Sequence, residues 1–266
     1  MKVAILGMGP SADAYARHAA GAGDVRKSFD ETWTVNAFGS VFRADRIFHM
    51  DDIRIQQIRA DAGNAQIAGL LAYLQRAPGP IYTSRPLPEA PNPLLEQTEA
   101  QLAAVNGDET KRAELEGILR WLKAERALQE TGGFKGLVEY PLAEVINKAG
   151  GPPYFTNTVP YAIAYALALG VKSIALFGVD YSYTNHGKAE RGRACCEFWL
   201  GRAMERGIEV HLPVDTWLMD CNRKDRLYGY DTMSAAFAAD DNGACRVAFK
   251  DKPAPTAEAI EAVYAH

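Results

Sequence analysis

The sequence lacks the features that mark membrane-spanning, nucleic-acid-binding and zinc-binding proteins. No run of about 18 apolar residues occurs, so no segment is expected to cross a bilayer. The net charge is −4, so the chain lacks the excess of basic residues that would indicate binding to nucleic acid or to an anionic membrane. The cysteines fit no zinc spacing, and there is neither a P-loop nor a GxSxG nucleophile motif. The cysteines are Cys195, Cys196, Cys221 and Cys245.

What is present is the composition of a globular protein. Hydrophobic residues make up 48% and charged residues 23% of the 266 positions, which is enough to bury a large core. The cysteines are expected to be reduced thiols in a cytoplasmic protein. We expect a single Rossmann-like nucleotide-binding domain over residues 1–266, with a helical insertion at about 86–135 and a C-terminal tail from about 220.

Short apolar runs alternate with helical patterns along most of the chain. This alternation predicts an α/β fold of the Rossmann-like type, with a mostly parallel sheet and helices on both faces. Strands are predicted at Lys2–Leu6, Thr32–Asn36, Arg46–Met50, Pro80–Thr83, Ser173–Phe177 and Ile208–Leu212. Helices are predicted at Ala12–Ala20, Asn64–Arg76, Leu142–Lys148, Val159–Leu169, Ala189–Arg206 and Pro255–Tyr264.

The stretch from 86 to 135 interrupts this alternation. It begins with several prolines, which favour an extended backbone. A charged segment follows, in which Leu115, Ile118, Leu119 and Leu122 recur at helical spacing. The pattern predicts a helical insertion. It fits either a flap over the site or a surface helical hairpin with no role in the function.

The first candidate for binding chemistry is the turn after the first strand. Gly7, Gly9, Pro10 and Ser11 precede a predicted helix, whose N-terminal N–H groups can receive a phosphate. Ser11 is predicted to be the N-cap of this helix. The pattern is not the dinucleotide fingerprint, because Ala12 follows where a third glycine is expected. A purely structural turn would look the same.

Polar side chains follow several of the predicted strands. In an open α/β sheet, ligands bind outside the carboxyl ends of the strands. Any one of these residues could instead be a cap or a turn residue, but together they favour a site. Adjacent aspartates on an extended segment point in opposite directions, so no metal site is predicted at 51–52. The strand-end residues are Asn36, Asp51, Ser84 and Asp180.

Two further candidates lie in the second half of the chain. Thr156, Asn157 and Thr158 begin an apolar helix, where they can cap the helix or bind a phosphate or a base. His186 is predicted to lie in a polar loop just before the next helix. A helix N-terminus disfavours the charged imidazolium, so a neutral general base is expected there, although an exposed loop histidine fits the local sequence as well.

The remaining candidates surround these two. Tyr181 and Tyr183 flank the loop and could hydrogen-bond a departing phosphate. His49 stands at a strand end beside Asp51, and could belong either to the core or to the site.

The order of these motifs resembles that of the bacterial lipooligosaccharide sialyltransferases and of a related group. That group comprises the motility accessory factors and the archaeal 6-hydroxymethylpterin diphosphokinases of the MptE type. The resemblance covers about residues 2–219, apart from the insertion. It rests on Gly7-Met8-Gly9-Pro10-Ser11, Asn36, the strand end near Asp51, Thr156-Asn157-Thr158, the run Ala162–Tyr181 with its Gly178-Val179-Asp180-Tyr181 end, and His186-Gly187-Lys188-Ala189-Glu190.

The sialyltransferase resemblance implies a CMP-sugar as donor substrate and a hydroxyl group as acceptor, with no firm cofactor. The resemblance places His186 as the catalytic base, and places tyrosines after the Gly-x-Asp strand to assist phosphate departure. Ser182 stands where one such tyrosine is expected, and Tyr183 follows it. The implied donor site consists of Gly7, Gly9, Pro10, Ser11, Asn36, Asp51, Thr156, Asn157, Thr158, Gly178 and Asp180.

Two alternatives stay open at the level of sequence. The diphosphokinase branch implies transfer of pyrophosphate to a pterin-like alcohol, with Mg²⁺ and Asp51 taking part. A non-catalytic nucleotide-binding module would bind the nucleotide without transfer, and would tolerate replacement of His186. The sequence also leaves the oligomeric state open, a homo-oligomer included.

Overall fold

The computed structural model describes residues 1–182, 184–220, 227, 229–230, 232–239 and 244–264. Two of the residues singled out above, Tyr183 and Cys221, therefore lie outside the described residues. The chain forms two compact units, Met1–Met219 and Asp220–His266.

The first unit is built on a seven-stranded sheet in which every neighbouring pair is parallel. The sheet confirms the predicted α/β, Rossmann-like class. Six of the strands coincide with predicted strands, to within two residues at each end. The strands are β1 (Lys2–Leu6), β2 (Glu31–Val35), β3 (Arg46–Phe48), β4 (Ile81–Thr83), β5 (Leu137–Glu139), β6 (Ser173–Phe177) and β7 (Glu209–His211).

The spatial order of the strands is β5-β4-β3-β2-β1-β6-β7. The chain runs from β1 outward to β5 and then crosses back to place β6 on the other side of β1. This reversal is a topological switch point, where the loops after two neighbouring strands diverge and leave a crevice at the carboxyl edge of the sheet. The switch point lies between β1 and β6, so a ligand site is expected outside Leu6 and Phe177.

The helices of the first unit extend several of the predicted ones. In particular, the last helix begins one turn earlier than Ala189, and a short helix follows β3 that the sequence pattern did not indicate. The helices are α1 (Ala12–Ala22), α2 (Ile53–Asp61), α3 (Ala65–Arg76), α4 (Leu94–Ala104), α5 (Glu109–Glu130), α6 (Leu142–Ala149), α7 (Thr158–Leu169) and α8 (His186–Glu205).

The two faces of the sheet carry separate hydrophobic clusters. In β1, Val3 and Ile5 belong to the cluster that includes residues of α7 and α8. The alternate residues Ala4 and Leu6 pack with Tyr15 of α1. Successive side chains of a strand point to opposite faces, so β1 is buried on both sides, and its unbroken apolar run is explained.

The insertion at 86–135 is anchored to the rest of the domain. Its helix α5 contributes Leu128 to the cluster formed by β3, α2 and α3. Arg54 of α2 and Glu125 of α5 form an ion pair with 2.5 Å between Nε and Oε2, and both side chains are at most 2% exposed. The Arg54 guanidinium also donates to the carbonyl oxygens of Arg85 and Pro86. The insertion is thus a packed layer fixed at a buried charge pair.

The second unit contains a hairpin and a helix. Strands β8 (Met233–Ala239) and β9 (Cys245–Asp251) pair in antiparallel fashion, and α9 (Ala257–Tyr264) follows. The sequence patterns predict the helix but did not indicate the hairpin. Among the described cysteines, Cys195, Cys196 and Cys245 are free thiols. In the part of the chain that the structure describes, no helix combines the length and the apolar character needed to cross a membrane.

Candidate functional site

The loops that follow β1 and β6 meet at the switch point and are bonded to each other. The Gly7 N–H donates to Phe177 O at 2.7 Å, and the Gly9 N–H donates to Gly178 O at 2.7 Å. A Cβ atom at Gly7 would overlap the carbonyl group of Gly178, and one at Gly178 would overlap that of Gly7. Gly178 also has a φ of 68°, which disfavours any side chain. The two glycines are therefore required by the close approach of the loops.

Ser11 is held by Asp180, 169 residues away in the sequence. Ser11 stands at the predicted N-cap position of α1, but it has helical dihedral angles and its side chain makes no capping hydrogen bond. Its hydroxyl group instead donates to Asp180 Oδ1 and accepts from the Gly178 N–H. The Ser11 N–H donates to Asp180 Oδ2 at 2.8 Å. Asp180, only 5% exposed, thus places the protein's own carboxylate at the N-terminus of α1.

This arrangement leaves little room for a phosphate at the first turn. The N–H groups of Gly7, Gly9 and Ser11 donate to groups of the protein, and that of Ala12 donates to Gly9 O. A phosphate there would also face the buried carboxylate of Asp180, a like charge at short range. The turn is therefore better suited to an uncharged part of a ligand than to the anion that its sequence suggested.

A cleft of about 410 Å³ lies above this pair of loops, and we call it the turn cleft. It contains six of the predicted donor-site residues. Among the described residues of its lining there is no basic side chain, and the one acidic side chain, Asp180, is engaged with Ser11. It is lined by Gly7, Met8, Gly9, Pro10, Val35, Asn36, Val159, Gly178, Val179, Asp180, Tyr181 and Ser182.

Asn36 enters the turn cleft from the end of β2 and is bonded to a buried histidine. Its backbone has a φ of 55°, a conformation that asparagine tolerates better than most residues. Its Oδ1 lies 2.8 Å from Nδ1 of His49, which follows β3 and is fully buried. Burial lowers the pKa of His49, an effect that the nearby Asp51 carboxylate opposes. His49 is therefore neutral near pH 7.

A second cleft of about 500 Å³ adjoins the start of α8, and we call it the helix cleft. It shares Tyr181 with the turn cleft, so the two meet at that side chain. Among the described residues, neither Lys188 nor Arg191 forms an ion pair with a carboxylate. The Arg191 Nε–H donates to Gly187 O at 3.3 Å, and the other donors of the two cations are available to an anionic ligand. The helix cleft is lined by Thr156, Asn157, Tyr181, Asn185, Lys188, Arg191 and Gly192.

Tyr181 separates the two clefts and is fixed from both sides. Its hydroxyl group donates to Asn157 Oδ1 at 3.1 Å and lies 2.8 Å from Cys196 Sγ. Burial raises the pKa of the Cys196 thiol, so the thiol is protonated and can donate to the tyrosine oxygen. The Tyr181 backbone has a φ of 54°. The Tyr181 side chain thus separates the two clefts, and its hydroxyl group is already hydrogen-bonded to Asn157 and Cys196.

His186 is the first residue of α8, which corrects the predicted position in a loop before the helix. Asn185 is the N-cap, and its Oδ1 accepts from the Lys188 N–H at 3.0 Å. The first turn, His186-Gly187-Lys188, carries no apolar side chain, so hydrophobic spacing could not reveal it. His186 is exposed and stands between Asn185 and Lys188, two residues that line the helix cleft.

The residues at the start of α7 have different positions. Asn157 is the N-cap of α7, and its Oδ1 accepts from the Val159 N–H at 3.1 Å. Thr156 is exposed beside it and donates to Arg191 O. Both line the helix cleft, whereas Thr158 is 8% exposed and lines neither cleft. The structure therefore brings two of these three residues to the cleft.

Neither Asp51 nor Ser84 lines either cleft. Asp51 is exposed and lines neither of them, while its neighbour Asp52 is the N-cap of α2. The Ser84 hydroxyl donates to Met50 O. In the described ranges, no group of three or more His, Cys, Asp or Glu side chains is placed to hold a metal ion.

The cations of the helix cleft and the partner of Asn36 were missed in the sequence. Lys188 and Arg191 are three residues apart, so they share one face of a helix. That spacing could have identified them if the helix start at His186 had been recognised. The sequence did not decide whether His49 belongs to the core or to the site, because its hydrogen bond to Asn36 joins the ends of two strands and leaves no local sequence pattern.

Gly192 of α8 offers a test of how rigidly Tyr181 is held. A Cβ atom at this position would overlap the Tyr181 ring, so Gly192→Ala should lower the free energy of unfolding by about 1–3 kcal/mol through overpacking. Gly201→Ala is the matched control in the same helix, since a Cβ there meets nothing within 4 Å. The control should raise stability by up to about 1 kcal/mol. Urea denaturation measures both, and equal effects would show that Tyr181 can move aside.

Comparison with known proteins gives structural similarity at low identity. No protein-family model matches the chain, and no curated protein matches it. A point mutant of the alpha-2,3/8-sialyltransferase CstII is 14% identical, with 99% of this chain and 100% of that chain covered and a TM-score of 0.42. The Campylobacter jejuni sialyltransferase CstII in complex with cytidine-5'-monophosphate is 15% identical, at 99% and 98% coverage and a TM-score of 0.39. The same enzyme in complex with CMP-3FNeuAc is 17% identical, at 99% and 98% coverage and a TM-score of 0.41. What this chain does has to be argued from its clefts.

Proposed function

We propose that this chain is a glycosyltransferase of the sialyltransferase-like type, which uses a CMP-activated sugar as its donor. The observation that carries the proposal is the pair of clefts at the switch point, which meet at Tyr181. One cleft has a lining rich in backbone, whose one described charge, the Asp180 carboxylate, is bonded to Ser11. The other carries two cations without carboxylate partners among the described residues. A nucleotide sugar has the same division into a neutral nucleoside and an anionic phosphate.

The nucleoside lies in the turn cleft in this proposal. Glycine there lets a flat base or a ribose approach the backbone closely. Asn36 provides a polar contact at the rim, and Pro10 and Val159 provide apolar surface. The buried carboxylate of Asp180, bonded to Ser11, keeps the phosphate away from the end of α1.

The phosphate lies in the helix cleft, beyond Tyr181. Lys188 and Arg191 can donate charge-assisted hydrogen bonds to its oxygens, and Asn157 and Asn185 line the same space. The N-terminus of α8 adds a positive end of a helix dipole, which also favours an anion. This placement replaces the glycine turn with the start of α8 as the phosphate subsite.

His186 is the general base of the proposed reaction. A neutral imidazole nitrogen takes the proton from the acceptor hydroxyl while the acceptor oxygen bonds to the anomeric carbon of the donor sugar. The bond from that carbon to the phosphate oxygen breaks, and its electron pair leaves with CMP. Lys188 and Arg191 stabilise the charge that develops on the departing phosphate. The hydroxyl of Tyr181 is engaged with Asn157 and Cys196, so its part is to shape the site.

A panel of nucleotides tests the proposal and separates it from the diphosphokinase and non-catalytic alternatives. CMP at 100 times its dissociation constant should stabilise the protein by about 2.7 kcal/mol without a metal ion, and ATP with Mg²⁺ should not. CMP release from CMP-N-acetylneuraminate, with water or lactose as acceptor, then shows whether transfer follows binding. Stabilisation by ATP only with Mg²⁺ would favour the diphosphokinase, and CMP binding with no release would favour the non-catalytic module.

A further inference from the structure

We infer that His49 is a positioning residue, which fixes the Asn36 amide so that its N–H donors face the turn cleft. The identity of the ligand in that cleft rests on the proposed function. The geometry of the His49–Asn36 pair is independent of the proposed function, because it follows from the hydrogen bond between the His49 ring and the Asn36 side chain.

The two residues meet because their strands are neighbours. In the parallel pair of β2 and β3, Val35 lies opposite Phe48, and Asn36 and His49 are the next residues along. Asn36 lines the turn cleft, whereas His49 is fully buried behind it. The histidine therefore reaches the ligand only through the asparagine.

The hydrogen bond determines where the histidine proton lies. Asn36 Oδ1 can only accept, so His49 Nδ1, 2.8 Å away, must carry the proton. Within the described residues, His49 Nε2 is buried without a hydrogen-bond partner. In the reversed arrangement, with the Asn36 amide donating to Nδ1, the proton would lie on Nε2 and a buried N–H would have no acceptor. Such orphaned N–H groups are rare because they are costly.

The consequence concerns the ligand. With Oδ1 occupied by His49, the Asn36 Nδ2 group keeps two N–H donors, and it has no other hydrogen-bond partner in the described part of the chain. The group therefore selects a ligand atom that accepts. Because the Asp180 carboxylate in the same lining disfavours an anion, this atom is an oxygen of the neutral nucleoside, a base carbonyl or a ribose hydroxyl. A histidine that could not donate would let the amide rotate and present its oxygen instead.

The tautomer is measured first, without any ligand. Long-range ¹H–¹⁵N correlation spectra distinguish Nδ1–H from Nε2–H histidines, and the signals missing in His49→Gln assign the residue. We expect a neutral ring with the proton on Nδ1. A proton on Nε2 would overturn the inference, whatever the protein binds.

The effect on binding is measured by titration with CMP and with cytidine. His49→Leu removes the donor and should weaken both affinities about tenfold, as expected for one orienting hydrogen bond. His49→Gln can still donate to Oδ1 and should stay within about threefold of the wild type. Thr83→Val, at another fully buried strand end, is the control for a change in the core and should leave both affinities unchanged.

The outcomes separate the two claims. Unaltered affinity in His49→Leu, or equal loss in His49→Leu and His49→Gln, would contradict the positioning role. If the wild type binds neither CMP nor cytidine, the proposed function fails, while the tautomer of His49 still decides whether it orients Asn36 as described.

Discussion

Replacing His186 by alanine should lower the rate of sugar transfer about 10²–10⁴-fold, the usual contribution of a general base. The affinity for CMP should stay within about threefold of the wild type, because His186 is exposed at the start of α8 and lines neither cleft. A loss of rate without a loss of affinity is the signature of a group that acts only in the transition state.

The rate is measured as CMP release from CMP-N-acetylneuraminate, and the affinity by calorimetry with CMP. His211→Ala is a suitable control, since this histidine is exposed at the end of β7. Its Nε2 lies 3.7 Å from a carboxylate oxygen of Glu209. The control should keep the wild-type rate. A His186→Ala enzyme that transfers at the wild-type rate would remove the general base from the proposal.

Replacing Glu125 by leucine should lower the free energy of unfolding by about 3–5 kcal/mol, because the buried charge of Arg54 loses its close carboxylate partner and keeps only the Asp52 carboxylate, 3.5 Å from Nη1. Arg54 is 1% exposed and Glu125 2%, so water cannot replace the missing partner. Glu125 also accepts from Asn92 Nδ2 at 3.1 Å, and the Arg54 guanidinium stacks 4.5 Å from the Trp121 ring centre. The pair thus joins α2 to the start and the middle of the insertion.

The double variant Arg54→Met/Glu125→Leu should recover more than half of that loss, since neither charge remains buried. Glu130→Ala breaks an exposed ion pair with Arg126 on the same helix and should change stability by no more than about 0.5 kcal/mol. Guanidinium denaturation provides all three values. A small effect of Glu125→Leu would mean that the insertion is not anchored at this pair.

The parts of the fold that the sequence predicted well are those whose signal is local. β6 was predicted to the residue, because Ser173–Phe177 is an apolar run between Gly170 and Gly178 and is buried along most of its length. β5 was missed, since Leu137–Glu139 is a three-residue edge strand with two exposed positions. α2 was missed because its buried side includes Arg54 and Gln56, which gives no apolar periodicity.

Strand-end reasoning predicted a shared edge of the sheet for Asn36, Asp51, Ser84 and Asp180, and of these Asn36 and Asp180 line the turn cleft. It could not show that Asp180 accepts a hydrogen bond from Ser11, which is 169 positions away in the sequence. This bond occupies the turn whose sequence suggested a phosphate site. Such a bond depends on the order of the strands, and no local pattern encodes that order.

The central claim is that the two clefts divide a nucleotide between them, with the phosphate beside Lys188 and Arg191. Comparing CMP with cytidine isolates the phosphate, and comparing the wild type with Lys188→Met/Arg191→Met isolates the cations. Lys123→Met/Arg126→Met on α5 removes the same charge away from both clefts and is the matched control.

Calorimetric titration of the three proteins with the two ligands is the most direct measurement. The double variant in the helix cleft should bind CMP about 10- to 100-fold more weakly than the wild type, as expected for the loss of charge-assisted hydrogen bonds. It should bind cytidine within about threefold of the wild type, and the control on α5 should match the wild type for both ligands. An equal change for CMP and cytidine, or no change for either, would contradict the proposed division.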